Sequence, residues 1–260
     1  MSQPGHISKL WFWPTSPREL RGVALRLILA VLLILLIGAL SCSVGLAQKT
    51  KRVQLSVEDR SESEQRLWDL GYWAGPVDGN FDSASRHALV AFQKVAGRPR
   101  TGILTANALS ELRTASRPQP ARGNYSHVEI DLVRQVLFLV DAMGTVTRIL
   151  SVSTGNGKPY WDKGQWHHAR TPTGTFRVLR KINGWRLSSL GLLYYPSYIF
   201  NGIAIHGSSS IPNYAASHGC IRVPMYAAKG LSSLLPVGME VIIYDESPHW
   251  AKESARLMGG

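Results

Sequence analysis

The apolar residues of the sequence change their spacing at one place, the stretch TASRPQPARGN at residues 114–124. Before this stretch they recur at helical spacing, and beyond it they alternate with polar residues, which is the period of a β-strand. The stretch itself is rich in Pro, Arg and small residues, a composition typical of a stiff linker. We therefore expect an α+β multidomain protein, with a small three-helix part followed by a mostly antiparallel β domain.

Three short helices are predicted before the linker. Ser61 and Glu64 have the spacing of a capping box that begins the first helix, and Gly71 ends it. The second helix covers about residues 83–95 with an apolar stripe, and the third starts near Thr105. Three helices in so short a segment can bury only a very small core.

The domain beyond the linker is predicted to consist mainly of strands. Residues 127–155 form two alternating runs joined by a hairpin turn at Asp141–Gly144. Short strands are also expected within TPTGTFRVLRKI, IAIHG and MEVIIYD, and one helix is expected near residues 225–235. Because no helical segment alternates regularly with these strands, the pattern favours a mostly antiparallel sheet.

An uncharged apolar run, LILAVLLILLIGALSCSVGLAQ at residues 27–48, follows a basic segment at residues 1–26. About twenty apolar residues span a bilayer, and basic residues before such a run favour a cytoplasmic N-terminus. We expect a transmembrane anchor here. A signal peptide cleaved before Gln48 is the alternative, and lipidation at Cys42 is a third interpretation. All three place the residues after 50 outside the cytoplasm, either anchored to the membrane or secreted.

The charge balance is strongly basic, with 29 Lys and Arg against 17 Asp and Glu and a formal net charge of +12. Such an excess suits a polyanionic partner, namely nucleic acid, anionic lipid or an acidic wall polymer. No run of basic residues alternates with aromatic residues in the manner of a nucleic-acid platform. We therefore expect no nucleic acid partner.

Two cysteines, Cys42 and Cys220, are present in 260 residues. Cysteines outside the cytoplasm normally pair, but Cys42 lies in or beside the apolar run, so we expect Cys220 to have no intramolecular partner. A lone thiol in that compartment is best explained by its reactivity. His218 and His206 precede Cys220 by two and fourteen positions and can supply a base. Zinc held by these three side chains is an alternative. No fourth ligand has convincing spacing, however, so we expect no metal and no cofactor.

Residues 58–113 carry a set of small, apolar and turn residues at Leu67, Leu70-Gly71-Tyr72, Gly75, Val77-Asp78-Gly79, Phe81, Ala88, Ala91-Phe92-Gln93, Thr101-Gly102 and Leu109. With these residues the segment resembles the peptidoglycan-binding module family. The resemblance implies a three-helix unit that binds the cell wall, with the glycan and the stem peptides of peptidoglycan as partners. A spacer bundle without a ligand is the alternative.

Three motifs beyond the linker, TPTGTF (171–176), YPSYIFNGIAIHG (195–207) and SHGCIRVP (217–224), together resemble the L,D-transpeptidase catalytic domain family of the YkuD type. The resemblance covers residues 125–245 and leaves residues 246–260 as a C-terminal tail. It implies cross-linking of peptidoglycan, in which a cysteine attacks the carbonyl of the third residue of a tetrapeptide stem and expels the terminal D-alanine. An amine of a neighbouring stem then resolves the thioester.

The resemblance makes Cys220 the nucleophile and His206 the general base, with the tautomer of His206 fixed by the backbone near Gly207. His218 is expected close to the nucleophile. Strand geometry also favours His206 as the base. Residues two apart along a strand are about 6–7 Å apart, whereas paired strands lie about 4.8 Å apart.

The residues around Cys220 have predicted roles as well. The backbone N–H groups of Gly219 and Cys220 are expected to form an oxyanion hole, since Gly219 lets the backbone approach the reacting carbonyl. Arg222 is suited to grip a stem carboxylate with two hydrogen bonds. Ser217 is placed with Arg222 in the substrate-binding group and is expected to support the turn.

Two other functions stay open from the sequence alone. An L,D-carboxypeptidase would have the same nucleophile but would let water, instead of an amine, reach the thioester. A protein that had lost catalysis would retain only wall binding. The sequence predicts no oligomeric state.

Residues 155–170, GNGKPYWDKGQWHHAR, are long for a hairpin link and rich in aromatic residues. Two interpretations are open, a mobile lid over the site or a packed surface loop. His167 and His168 are interpreted as ordinary loop residues.

Overall fold

The computed structural model describes residues 55–246, which belong to one compact unit. The predicted basic segment at residues 1–26, the apolar run at residues 27–48 and the C-terminal tail beyond residue 246 lie outside the described residues. Among the helices described, none is long and apolar enough to cross a membrane.

The described residues contain four helices, α1 (Val57–Asp69), α2 (Ser83–Val95), α3 (Ala106–Thr114) and α4 (Met225–Leu234). The positions of α2, α3 and α4 agree with the sequence predictions. The Asp82 carboxylate accepts two backbone N–H groups at the start of α2, and the Thr105 hydroxyl accepts one at the start of α3. These caps satisfy N–H groups that have no partner within the helix.

Helix α1 begins earlier than predicted. Its capping box is made by Ser56 and Asp59, not by Ser61 and Glu64. The Glu64 side chain is fully buried and accepts hydrogen bonds from two N–H groups of the following loop and from the hydroxyl of Ser85. Both pairs have the spacing of a capping box, so only the burial of Glu64 distinguishes them.

Twelve strands within residues 55–246 form two larger sheets and one hairpin. The first sheet has the order β3 (Val146–Ser151), β2 (Val136–Val140), β1 (His127–Asp131), β12 (Glu240–Tyr244) and β6 (Gly174–Arg177). The second has the order β11 (Ile221–Pro224), β10 (Ile203–Ser208), β9 (Gly191–Phe200) and β7 (Arg180–Lys181), with β8 (Trp185–Ser188) also paired to β9. The hairpin consists of β4 (Pro159–Asp162) and β5 (Gln165–His168). Most pairs are antiparallel, as predicted, and the exceptions are β1 with β12 and β10 with β11.

The two runs predicted within residues 127–155 are in fact three strands. A turn that the sequence analysis missed separates β1 from β2, and in it Gln135 has a φ of 61°. The Asp131 carboxylate closes this turn by accepting the N–H groups of Val133 and Arg134. The turn contains no Gly or Pro, so the usual sequence signals for a turn are missing.

Strand β2 is buried on both faces, which explains why its residues do not alternate. On one side, called here the catalytic face, Leu137 and Leu139 belong to the core shared with α4 and the second sheet. On the other side, called the module face, Val136, Phe138 and Val140 pack against the helical module formed by α1, α2 and α3. A single sheet therefore separates two apolar layers.

The predicted linker at residues 114–124 is held along its length by hydrogen bonds. Arg117 donates to the carbonyl oxygens of Asp69 in α1 and Val146 in β3. Further on, the N–H groups of Ala121 and Arg122 donate to the buried carboxylate of Glu129. The segment thus contacts the helical module and the first sheet, and it does not act as a spacer between separate bodies.

Candidate active site

Cys220 ends a tight turn and stands immediately before β11. Strand β11 runs parallel to β10, with His206 opposite Arg222 in the register. Because alternate residues of a strand share a face, the side chains of Cys220, Arg222 and His206 project from the same side of this strand pair. All three line a cavity of about 870 Å³.

The turn before β11 is held by hydrogen bonds within it and from outside it. The Ser217 hydroxyl donates to the carbonyl oxygen of Cys220 at 2.6 Å and accepts the N–H of Gly219 at 3.0 Å. The Thr171 hydroxyl donates to the carbonyl oxygen of Gly219 at 2.7 Å. Gly219 has a φ of 134°, and a Cβ there would lie 2.9 Å from the carbonyl oxygen of Arg170. Only glycine fits this position without strain.

These contacts revise the predicted role of Gly219. Its N–H is buried and already donates to Ser217, so it can enter an oxyanion hole only by breaking that bond. Ser217, although it lines the cavity, is itself buried, with its hydroxyl used on both sides of the turn. The hydroxyl of Ser217 therefore acts on the turn, and its only donor is already used on the carbonyl oxygen of Cys220.

His206 is buried, with 6% of its surface exposed. Its Nδ1 lies 2.9 Å from the carbonyl oxygen of Gly207. Since a carbonyl oxygen only accepts, Nδ1 carries the proton of the neutral ring and Nε2 is left as an acceptor. Burial lowers the pKa of His206 to about 4; the Gly207 carbonyl acts against this, and the charge of Arg222 adds to it. At neutral pH the ring is therefore uncharged and able to take up a proton.

Gly207 belongs to β10 but does not line the cavity, because its Cα faces α4 on the other side of the strand pair. A Cβ at this position would lie 2.6 Å from the Cβ of Ala228 in α4. The missing side chain therefore lets α4 pack closely against β10, while the Gly207 carbonyl orients His206.

Cys220 has a free thiol that is partly buried. Burial raises the pKa of the Cys220 thiol, whereas the N–H of Ala204 and the charge of Arg222 act in the opposite direction. With a raised thiol pKa and a lowered imidazole pKa, Cys220 and His206 are both neutral at pH 7. Both pKa shifts therefore favour the uncharged thiol and the uncharged imidazole over a thiolate–imidazolium pair.

His218 is exposed and points to the β4–β5 hairpin. Its ring meets the edge of Tyr160, with centroids 4.7 Å apart, and Tyr160 in turn stacks on His167 at 5.4 Å. All three rings line the cavity. The expectation that His167 is an ordinary loop residue is therefore wrong, because it belongs to a cavity wall. His168 lies beside it in β5, opposite Pro159.

The cavity has a basic lining that the sequence analysis did not identify. Arg180 and Arg186 join Arg222 around it, and Arg180 lies 3.6 Å above the ring of Tyr198. No carboxylate in the described part of the chain forms an ion pair with Arg222. Such a lining suits a substrate that carries carboxylates. Thr171, whose hydroxyl holds the carbonyl oxygen of Gly219, was not predicted as a site residue either. Its position at the start of the TPTGTF motif is the sequence signal that could have identified it.

A zinc site at Cys220, His206 and His218 would require these side chains to converge on one point together with a further ligand. Within residues 55–246, no group of three or more His, Cys, Asp or Glu side chains is placed to hold a metal ion. His206 presents one free nitrogen to the cavity, and His218 is turned toward Tyr160.

Comparison with known proteins identifies both parts of the chain. Residues 125–243 match the family model of the L,D-transpeptidase catalytic domain, and residues 56–112 match that of a peptidoglycan binding domain. No match was found among the curated protein sequences.

Solved structures give a similar result. The crystal structure of residues 123–326 of an L,D-transpeptidase from Xylanimonas cellulosilytica is 39% identical over 72% of this chain and 93% of that chain, with a TM-score of 0.66. An L,D-transpeptidase of Stackebrandtia nassauensis is 21% identical over 74% of this chain and 93% of its own, with a TM-score of 0.44. On the strength of the first match, with its high coverage of both chains, this protein belongs to the L,D-transpeptidase family.

Proposed function

We propose that the protein is a peptidoglycan L,D-transpeptidase that joins stem peptides through a thioester at Cys220. One observation carries the proposal, namely that a free thiol, a neutral imidazole and an unpaired guanidinium project from one side of a strand pair into a basic cavity. These are a nucleophile, a proton acceptor and a carboxylate-binding group. Membership of the family supports the same reaction.

In the first half of the proposed reaction, Cys220 Sγ attacks the carbonyl carbon of the third stem residue. The thiol proton passes to His206 Nε2 as the C–S bond forms, because neither group is charged beforehand. The tetrahedral intermediate then expels the amine of the terminal D-alanine, which takes the proton back from His206. An imidazolium with a pKa of about 4 is a strong acid for this return step.

In the second half, the side-chain amine of a neighbouring stem attacks the thioester carbonyl. A proton of this amine passes through His206 to the departing sulfur, which restores the Cys220 thiol, and the new C–N bond is the cross-link. An L,D-carboxypeptidase would use water at this step, with a free tripeptide stem as product.

Negative charge on the substrate has two proposed partners. Arg222 is assigned to a stem carboxylate, because its guanidinium faces the cavity without a carboxylate partner. The N–H of Cys220 is assigned to the oxyanion of the tetrahedral intermediate. The N–H of Gly219 is left out of this role because it donates to Ser217.

The location and the wall contact are proposed from the remaining segments. We assign residues 27–48 to a membrane anchor with a cytoplasmic N-terminus, or to a signal peptide, so that the catalytic unit works outside the cytoplasm where peptidoglycan lies. The helical module is assigned to wall binding, which its match to the peptidoglycan binding domain supports. Neither a metal nor another cofactor takes part in this proposal.

Product analysis tests the function. Purified protein is incubated with a disaccharide-tetrapeptide, and the products are weighed by mass spectrometry. A cross-linked dimer is expected. Release of the tripeptide alone would indicate a carboxypeptidase, and an unchanged substrate would indicate a protein that only binds the wall.

Acylation by a carbapenem tests the nucleophile and the base. We expect one adduct per chain on Cys220, and none on the Cys220→Ala variant. His206→Ala should slow acylation by about 10²–10⁴-fold, the usual effect of losing a general base. His218→Ala should have a milder effect, since its ring contacts Tyr160 at the cavity wall. Labelling at Cys42, or a larger loss with His218→Ala, would contradict these assignments.

The pH dependence of acylation tests the protonation state. Because His206 has a pKa of about 4, the acid limb of the rate should lie near pH 4 and not near the ordinary histidine value of about 6.5. Arg222→Gln removes a charge that lowers this pKa, so the acid limb should move to higher pH. A limb near 6.5 in the wild-type protein would show that His206 is not the neutral base described here.

A further inference from the structure

Lys94 of α2 is a charged side chain with only 2% of its surface exposed. Its Nζ donates to the carbonyl oxygens of Gln135 and Val152, each at 2.9 Å, and to the hydroxyl of Ser151 at 2.7 Å. An ammonium group has three donors, and all three are used. No carboxylate of residues 55–246 forms an ion pair with it. The helical module thus inserts a lysine into the polar backbone of the catalytic domain.

The acceptors of Lys94 lead to a second buried residue, Gln135. The Gln135 side-chain amide donates to the hydroxyl of Thr154 at 2.7 Å, and its oxygen accepts the N–H of Thr154 at 2.8 Å. The carbonyl oxygen of Gln135 accepts the N–H of Val152 as well as the ammonium of Lys94. Gln135 therefore binds both Lys94 and Thr154, and it has the positive φ described above.

Thr154 in turn contacts the nucleophile turn directly. Its carbonyl oxygen accepts the N–H groups of Ala216 at 2.9 Å and Ser217 at 2.8 Å. Ser217 holds the N–H of Gly219 and the carbonyl oxygen of Cys220. A continuous series of hydrogen bonds therefore runs from Lys94 in the module, through Gln135 and Thr154, to the backbone of Cys220.

We propose that Lys94 is a positioning residue for the transpeptidase reaction, and that the helical module orients the nucleophile turn through the Lys94–Gln135–Thr154–Ser217 series. The proposal rests on the proposed function, which makes Cys220 the nucleophile. It gives the module a part in catalysis in addition to any part in wall binding. A misplacement of a reacting group by about 1 Å can slow a reaction about a hundredfold, so a small shift of the turn is sufficient to matter.

A purely stabilising role explains Lys94 less well. Burial, with the nearby charge of Arg100, lowers the pKa of Lys94 to about 7, which shows how unfavourable this site is for a cation. Leu89 and Phe92 of the same helix belong to the apolar layer that packs against the sheet. Well-packed apolar side chains often stabilise a fold as well as a buried charge does. The directed hydrogen bonds are what an apolar residue could not supply.

The experiment compares Lys94→Met with Leu89→Ala in the full chain. Methionine retains the unbranched shape but no donor, whereas Leu89→Ala weakens the same apolar layer and leaves the hydrogen bonds intact. Each variant is measured for kcat and KM with a tetrapeptide stem, carbapenem acylation at Cys220 and the denaturation midpoint. Leu89→Ala should unfold more easily, because it leaves a cavity in a packed core. Only Lys94→Met should lower kcat and the acylation rate, by about 10- to 100-fold, with KM within about twofold of wild type.

Thr154→Val and Thr154→Ser test the same series at a site outside the module. Valine removes the hydroxyl that accepts from Gln135, and serine restores it, so Thr154→Val should lose kcat and Thr154→Ser should regain most of it. If Lys94→Met does not fold, this pair still tests whether the part of the series next to the nucleophile turn affects catalysis. Two results would overturn the proposal. One is a loss of activity in Lys94→Met and Leu89→Ala that is proportional to the loss of stability in both variants. The other is equal activity of the two Thr154 variants. A wild-type protein that the carbapenem does not acylate would refute the proposed function itself.

Discussion

The two faces of the first sheet bury apolar side chains to a similar extent but differ in their polar contacts. The catalytic face of β1 and β2 presents Val128, Ile130, Leu137 and Leu139, all of which belong to one apolar core. The module face combines an apolar layer with the buried side chains of His127, Glu129 and Asp131 on β1. An apolar layer is tolerant of small shifts, whereas satisfied polar groups define one arrangement. From the helical module, Lys94 adds three directed hydrogen bonds to this face, which hold the module in one position.

Further contacts make the module part of the catalytic fold. The N–H of Ile149 in β3 donates to the carbonyl oxygen of Gly71, and the N–H of Trp73 donates to the carbonyl oxygen of Ile149, so the module extends the edge of the sheet. The Tyr226 hydroxyl of α4 donates to the carbonyl oxygen of Trp73 at 2.7 Å. The guanidinium of Arg148 lies 4.7 Å from the ring centre of Trp68. The contact resembles a domain interior more than the interface of two separable domains.

Deletion of the helical module should produce the largest effect on this arrangement. Without residues 55–113, the apolar side chains of Val136, Phe138 and Val140 would be exposed together with those of Val146 and Ile149. An exposed apolar patch of this kind promotes aggregation. We expect an insoluble or unfolded fragment, as measured by soluble yield and circular dichroism. A folded, active fragment of residues 114–246 would show that the catalytic fold does not depend on the helical module.

A pair of truncations compares the two faces directly. Phe138→Ala removes a side chain from the module face and Leu137→Ala removes its neighbour from the catalytic face, and both residues are buried. Large-to-small changes in a core cost about 3–5 kcal/mol for phenylalanine and about 2–5 kcal/mol for leucine. Both free energies of unfolding should fall by such amounts in urea titrations. A loss below about 1 kcal/mol for Phe138→Ala would indicate a loosely attached module.

The smallest expected effect on stability comes from the buried pair of His127 and Glu129 on the module face. Burial acts to lower the pKa of His127, but hydrogen bonds with the Glu129 carboxylate and the Tyr125 carbonyl outweigh it and raise the pKa above its ordinary value of 6.5. A raised folded-state pKa gives stability that is fully present below pH 6.5 and is lost as pH rises through the folded value. The urea midpoint should therefore decline over that window.

Glu129→Gln is the matched variant for this effect. It keeps the shape of the side chain and one acceptor oxygen, so only one of the N–H groups of Ala121 and Arg122 retains its partner. It also removes the charge that helps to raise the pKa of His127. Its midpoint should start lower and change less with pH. Equal slopes in the two proteins would show that His127 does not titrate as described.

The sequence predicted those features that depend on local signals. Asp82 and Thr105 mark helix starts by their capping side chains. The motifs that contain His206 and Arg222 led to the prediction that both act beside Cys220, and both line the same cavity as Cys220. The features that it missed depend on the tertiary structure. Gln135 adopts a left-handed conformation without a turn residue to mark it, and the apolar run of β2 reflects a second layer that no periodicity could show. Lys94 is a charged residue on a helix, and nothing in the sequence around it distinguishes it from a lysine that is exposed to solvent.

The docked helical module determines how the protein would engage a polymer. Two binding sites joined by a flexible chain gain avidity from an effective concentration that the length of the chain sets. Here Arg117 and Glu129 hold the connecting segment, so the separation between the module and the cavity is fixed. A wall strand bound at both places would gain affinity only where its repeat matches that separation. The protein would then select its substrates by the repeat distance of the wall strand as well as by their chemistry.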